Sequence, residues 1–327
     1  VTDLIPAPAS PTAVRRVELV GQSGQDDRVH LLRAREIHAI NAAITAGRPL
    51  LVRGEPGVGK SQLARAAATA LGRAFVKHVI DSHTESRDLM WSFDAVKRLA
   101  EAQLAGALRD DIAKARSDLA VERFLHPGPL WWAFDWTNAE AQAALAQAER
   151  PSQPDDGDWR QGCVLLLDEI DKAEAEVPNG LLEALGAREF TPVGHRGPVR
   201  ATGIPPLVVI TTNEERVLPD AFLRRCLVLR LSLPETKEDL TAFLVARGRA
   251  HFPQASVALL RKAAELLHTD RAAAIHEQIR PYPGQAEYLD LLRAVLGMAR
   301  GTRNHIKMLA VIRDYTLRKQ ADSVTTA

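Results

Sequence analysis

The stretch Gly54-Glu55-Pro56-Gly57-Val58-Gly59-Lys60-Ser61 constrains this chain more than any other. It fits the pattern G-x-x-x-x-G-K-[ST], in which a glycine loop joins a strand to a helix. The flanks supply that context: Leu50-Leu51-Val52-Arg53 reads as a short apolar strand, and Ser61 to Ala68 as the opening of a helix. Glycines let the backbone close around an anion with its N–H groups turned inward, and the helix N-terminus adds partial positive charge. Glu55, Pro56, Gly57, Val58, Gly59, Lys60, Ser61 and Gln62 are therefore the candidate contacts to a nucleotide. Lys60 is expected to reach the β- and γ-phosphates, and the Ser61 hydroxyl to hold Mg²⁺. A chance match in a chain of this length has a probability of roughly one per cent, given glycine at about 7% of residues. The flanking strand and helix lower it further.

Later motifs build on this loop. Leu165-Leu166-Leu167-Asp168-Glu169 is a strand ending in two acids. Beside a phosphate loop, Asp168 can coordinate Mg²⁺, directly or through water, and Glu169 can polarise the water that attacks the γ-phosphate. Standing alone, such a pair would commonly just cap the next helix. Thr211-Thr212-Asn213 closes another apolar strand, where the Asn213 amide could orient the same water; an isolated Asn there would be a turn residue. Leu218-Pro219-Asp220-Ala221-Phe222-Leu223-Arg224-Arg225 precedes a further strand. An arginine pair of this kind is either ordinary surface or a finger offered to a neighbouring subunit's nucleotide.

Charge and composition exclude several classes. With 42 Lys+Arg against 41 Asp+Glu the net charge is +1, so no global field calls for nucleic acid or an anionic membrane. No apolar run reaches membrane-spanning length and no signal peptide is visible, which leads to the expectation of a cytoplasmic protein. The two cysteines, Cys163 and Cys226, sit beside apolar runs and read as buried free thiols. The histidines, such as His78, His83, His126 and His195, have no metal-binding spacing, so Mg²⁺ is the one metal expected.

Taken in order, residues 1–27 are rich in Pro, Ser, Gly and Gln and read as a flexible arm. Residues 28–233 read as a nucleotide-binding core with strands near 50–53, 75–80, 163–167, 206–211 and 226–231. The uninterrupted apolar character of the later three is that of parallel strands buried on both faces. Within the core, about 94–160 is longer than the fold requires: a helix start at Thr84–Trp91 leads into one long helix or a helix pair. All five tryptophans, Trp91, Trp131, Trp132, Trp136 and Trp159, lie in or beside this stretch. They either pin it to the body or carry a partner contact. Glu189 to Val199 reads as a hairpin, and residues 234–327 as a helical lid.

Phosphate loop, Asp-Glu strand, Thr-Asn strand end, arginine segment and helical lid, in that order, resemble the AAA+ ATPases, over about Arg28 to the C-terminus. The closer resemblance is to the MoxR subgroup. It rests on Gly47 to Gly57, on Asp168-Glu169-Ile170-Asp171-Lys172-Ala173 with Leu181-Leu182-Glu183-Ala184-Leu185 downstream, and on Leu218 to Arg225. The resemblance implies an α/β fold: an αβα core with a parallel five-stranded sheet, plus a C-terminal helical lid. It also implies ATP hydrolysis with Mg²⁺ and a ring, a hexamer in the first instance, with nucleotide between subunits. Arg225 aligns best with the family's finger, but Arg224 stands where the family often has Asp, so either arginine could serve. A lid arginine is implied as well, for which Arg280 is the candidate and Arg303 the rival. The implied role is chaperone-like remodelling of a protein client, often one with a von Willebrand A domain. The alternatives are a nucleotide-gated regulatory or defence component acting by binding and assembly, and, against the charge balance, a nucleic-acid motor or restriction subunit.

Overall fold

The computed structural model describes residues 4–8, 10, 13–19, 28–108, 112–153, 157–174, 176–298 and 301–318. The central sheet has five strands, β1 (Leu50–Arg53), β2 (Arg73–Val79), β3 (Asp158–Asp168), β4 (Leu207–Thr212) and β5 (Leu227–Arg230), in the order β5-β1-β4-β3-β2. They run parallel, as expected. Val164 to Leu167 of β3 are fully buried, and every residue of β4 is buried. Their registers align Leu207 with Val164 and Ile210 with Leu167, while on the other side Phe75 pairs with Val164 and Val79 with Asp168. Parallel strands need crossovers, and helices Lys60–Leu71 (β1 to β2) and Glu176–Ala187 (β3 to β4) supply them. Leu63, Ala64, Ala66 and Ala67 form the fully buried face of the first helix.

The chain compacts into two units. The first takes Val1–Ala13, Arg33–Val52 and Ala64–Leu229; the second takes Val14–Leu32, Arg53–Leu63 and Arg230–Ala327. The second unit holds four helices, Lys237–His251, Val257–His276, Gln285–Met298 and Thr302–Thr316. Its core is apolar around Leu260, Leu267, Tyr288 and Leu292. Asp270, 6% exposed, ties two of the helices by accepting from Arg313 Nε at 2.6 Å and Nη2 at 2.5 Å, and takes a third bond from Arg318 at 3.0 Å. The helical unit therefore takes in more than the residues after 233, because the phosphate loop packs with it.

Two expectations are corrected. The stretch 84–91 is not a helix but a run of turns leading into the strand Trp91–Phe93. Short polar side chains take up its backbone donors: Asp81 accepts from the His83 amide and the Thr84 hydroxyl, and Asp88 from the Glu85 amide, each at 2.9 Å. The expected flexible arm, in its described residues, holds the strand Val14–Leu19 and a buried Ile5, whose backbone N–H and C=O are both bonded by the Asn41 amide. The remainder of residues 1–27 lies outside the described residues.

Among its described residues the insertion holds four α-helices, Ala95–Leu108, Ile112–Asp118, Pro129–Phe134 and Trp136–Ala146, with a small antiparallel pairing of Trp91–Phe93 and Leu125–Pro127. Trp131, Trp132 and Trp136 are buried in the core of the first unit. Trp131 Nε1 donates to Asn138 Oδ1 at 2.8 Å, and Trp91 stacks on Phe190 at 5.8 Å between centroids. Phe190 belongs to the expected hairpin, Glu189–Phe190 paired with Val199–Arg200. The tryptophans thus pin the insertion and the hairpin to the sheet.

Both cysteines are free and buried, and burial pushes Cys163 up to about 12 and Cys226 up to about 11. Neither forms a thiolate near neutral pH. Native protein should therefore react with a disulfide reagent far more slowly than protein unfolded in guanidinium, which should expose both thiols. Fast stoichiometric labelling of the native chain would contradict this burial.

Candidate functional site

The phosphate loop lies in the second unit and is built by close packing rather than by side-chain bonds alone. Gly54 admits no Cβ, since one would come within 2.3 Å of the Leu231 carbonyl oxygen. Gly57 has φ +77°, a conformation other residues adopt at a cost, and a Cβ there would press on Ala286 at 3.1 Å. Near Gly59 lie the His30 ring and the Gln285 amide, each just under 4 Å from where a Cβ would stand. Lys60 is 7% exposed, and its Nζ donates to the carbonyls of Gly54 at 2.7 Å and Glu55 at 3.0 Å. A buried ammonium must find oxygen acceptors, and here the loop's own backbone provides them. Ser61 follows in the first turn of the helix, and Leu63 N–H closes that turn on the Gly59 carbonyl at 3.0 Å.

One residue of this site had no signal in the sequence. Arg271, on the helix Val257–His276, donates to Glu55 Oε2 at 2.7 Å and to the Pro283 carbonyl at 3.0 Å. It clamps the loop to the turn before helix Gln285–Met298. Its partner Glu55 is 216 positions away, so no local pattern could announce the pair. Arg280 is exposed and lies over the Tyr282 ring at 5.7 Å, while the Arg303 side chain lies outside the described residues.

The acids belong to the first unit. Asp168 ends β3, 8% exposed, and its Oδ1 accepts from the Thr211 hydroxyl at 2.6 Å. The same hydroxyl accepts from the Glu169 N–H at 2.9 Å. Lys77 Nζ stands 3.5 Å from Asp168 Oδ2. Glu169 has φ +66°, a left-handed conformation of the kind strained functional residues adopt, costing about 1–3 kcal/mol. Its carboxylate is held at 2.6 Å by Lys172, whose own pKa that contact raises. Both partners are partly exposed, so the pair is weak and easily parted. Asp171, 2% exposed, accepts from the backbone N–H of Asn213 at 3.1 Å and of Glu215 at 3.0 Å. It fixes the turn after β4, and so places Asn213 one strand away from Asp168.

Arg224 and Arg225 fall elsewhere. They follow the short helix Asp220–Leu223 and precede β5, so they stand at the N-terminal ends of the parallel strands, whereas Asp168 and Glu169 stand at the C-terminal end of β3. A four-residue strand spans about 13 Å at 3.3 Å per residue. The fold does not bring these arginines to the acids of their own chain.

A family profile for the AAA domain (dynein-related subfamily) matches residues 49–226, more than half of the chain. The chain belongs to that family. The profile's span covers four of the five strands, β1 to β4, and ends just before β5; it includes the loop, the acids and the arginine pair. Among solved structures, the chain is similar to the Thermotoga maritima RuvB Holliday junction branch migration motor. That likeness has 16% identity, 85% of this chain, 67% of that one and a TM-score of 0.44. A Cytophaga hutchinsonii protein matches at 14% identity over 86% of this chain and 80% of its own, with a TM-score of 0.38. No curated protein matches the sequence. Among the described residues of the AAA protein, no helix is long and apolar enough to cross a membrane.

The Asp171 bonds give a stability prediction. Asp171→Ala leaves two backbone donors without their acceptor and should cost about 1–3 kcal/mol. Asp171→Asn, which keeps an oxygen, should cost less. Urea unfolding of the two variants checks the order.

Proposed function

We propose that this AAA protein hydrolyses ATP to ADP and phosphate, with Mg²⁺, as a MoxR-like ATPase that remodels or activates a partner protein. The observation that carries the reading is the acid pair locked by Thr211 at the end of β3, two places across the sheet from the strand that runs into the phosphate loop. Lys60 serves the β- and γ-phosphates, with Glu55 to Gln62 as the cradle. The donor set suits Mg²⁺: one buried carboxylate at Asp168 and one hydroxyl at Ser61, all oxygen, for an ion that keeps several waters and phosphate oxygens. When bound, that ion neutralises charge on the transferred phosphoryl group.

Glu169 is the proposed general base. It takes a proton from water once its carboxylate leaves Lys172, a separation that costs little for an exposed pair. Asn213 orients that water. Arg224 or Arg225 acts on the nucleotide of a neighbouring subunit, which their place at the opposite strand ends favours and which calls for a homo-oligomeric ring, hexameric in this reading. Arg280 is the lid contact, alongside the loop clamp by Arg271. The client is a protein, often one with a von Willebrand A domain in proteins of this type, and the setting is cytoplasmic.

Glu169→Gln should keep ATP binding and lower turnover by about 100-fold or more, since general-base catalysis supplies at least that much. Lys60→Ala should lose binding as well. Calorimetry and phosphate release separate the two, and unchanged release in Glu169→Gln would remove Glu169 from the role. Thr211→Val should reduce turnover by about tenfold, through the acids it no longer fixes, while leaving ATP affinity near wild type.

A further inference from the structure

A cavity of about 240 Å³ opens in the first unit at the N-terminal ends of the strands. Pro49, Pro206 and Arg225, which line it, precede β1, β4 and β5 in turn. Its lining combines apolar Phe134, Leu182 and Val208 with Arg48, Arg188 and Arg225. A Cβ on Gly47 would come within 3.1 Å of Arg188 Nη2, so the Arg188 guanidinium lies against the turn that carries Arg48. Arg48 also bears electrostatically on the buried Cys226 thiol, next to Arg225.

Glu189, next to Arg188 in the chain, is paired with Arg200. Among the described residues, none of the three guanidinium groups donates to a carboxylate, unlike Arg271, Arg313 and Arg318 in the second unit. Gathering three like charges on one rim is unfavourable unless something anionic offsets them. Guanidinium forks match carboxylate and phosphate oxygens in bidentate fashion. The apolar lining adds a place for a hydrocarbon body, and the volume lies near the lower limit for a small-molecule site.

We propose that this arginine-rimmed cavity binds a small organic anion, a carboxylate or phosphate carried on a compact apolar ring or chain. The site is separate from this chain's own phosphate loop; it shares Arg225 with the finger proposed above, so its test substitutes Arg48 and Arg188 instead. Size favours a small molecule over a protein segment, because a space of about 240 Å³ lies at the small end of ligand sites.

The test titrates benzoate and phenyl phosphate into the full chain by calorimetry, with inorganic phosphate as the head group alone. At least one aromatic anion should bind, more tightly than inorganic phosphate, and the better of the two identifies the head group. Lys60→Ala should leave that binding intact, since the probe does not use the phosphate loop. Arg48→Ala with Arg188→Ala should weaken it about tenfold or more, one step of the affinity scale. Both side chains are exposed, so the variant should melt as the wild type does; the single Arg48→Gln and Arg188→Gln chains repeat the measurement if it does not. Absence of binding at millimolar probe, binding unchanged by the arginine substitutions, or binding lost with Lys60→Ala would each overturn the proposal. So would arginine variants that change the sedimentation of the protein while neither probe binds, which would assign the rim to a protein contact.

Discussion

Thr211 donates its hydroxyl proton to Asp168 and accepts from the backbone of Glu169. The acid end of the sheet rests on that exchange. It is possible because β3 and β4 are aligned with Ile210 opposite Leu167, which puts Thr211 level with Asp168. The alignment follows from apolar burial: Val164 to Leu167 and Leu207 to Ile210 are covered on both faces, and a strand so placed has few ways to shift. Where the apolar run stops, the buried polar groups have to satisfy one another. Asp168, Glu169, Asp171 and Thr211 do so with the backbone ends of two strands, and a Glu in left-handed conformation is the result.

The phosphate loop obeys a different constraint. Gly54 sits where the backbone of Leu231 leaves no room for a side chain, and Gly57 and Gly59 hold positive φ angles that other residues adopt at a cost. The Lys60 ammonium is buried and satisfied by two carbonyls of the loop it belongs to. Arg271 and Glu55 then join that loop to the helices that follow it by more than two hundred residues. Such a clamp relates the conformation of the loop to that of the helical unit, and any nucleotide that draws on Glu55 or Lys60 competes with bonds already made there. Charge in this protein is otherwise nearly balanced, so its clusters stand out by their pairing: Asp270 gathers two arginines, whereas among the described residues Arg48, Arg188 and Arg225 form no ion pair.

Much of this was readable from the residues. The inner strands β3 and β4 showed as apolar runs because parallel strands buried on both faces cannot tolerate alternation, whereas the edge strand β5, read the same way, leaves Val228 and Arg230 exposed. The loop showed as a fixed spacing of glycines, a lysine and a serine because its backbone geometry permits little else. Stretch 84–91 reads as a helix start because its polar residues, Thr84 and Asp88 among them, resemble caps, yet their side chains close turns instead. The early Pro- and Ser-rich segment misread as a loose arm because the bond between Ile5 and Asn41 is not written in its composition.

Local pattern, then, was enough for the α/β class, the order of the strands' chemistry and the acids and lysine of the candidate site. These depend on interactions between near neighbours or on burial that repeats along a strand. The partnership of Glu55 with Arg271, the anchoring of both acids on one hydroxyl, the burial of Trp131 and Trp136, and the placing of Arg225 at the far strand ends came from folding. Each is a meeting of groups distant in the chain, and the free energy that selects such meetings is summed over packing and polar satisfaction in three dimensions, where no single segment carries the information.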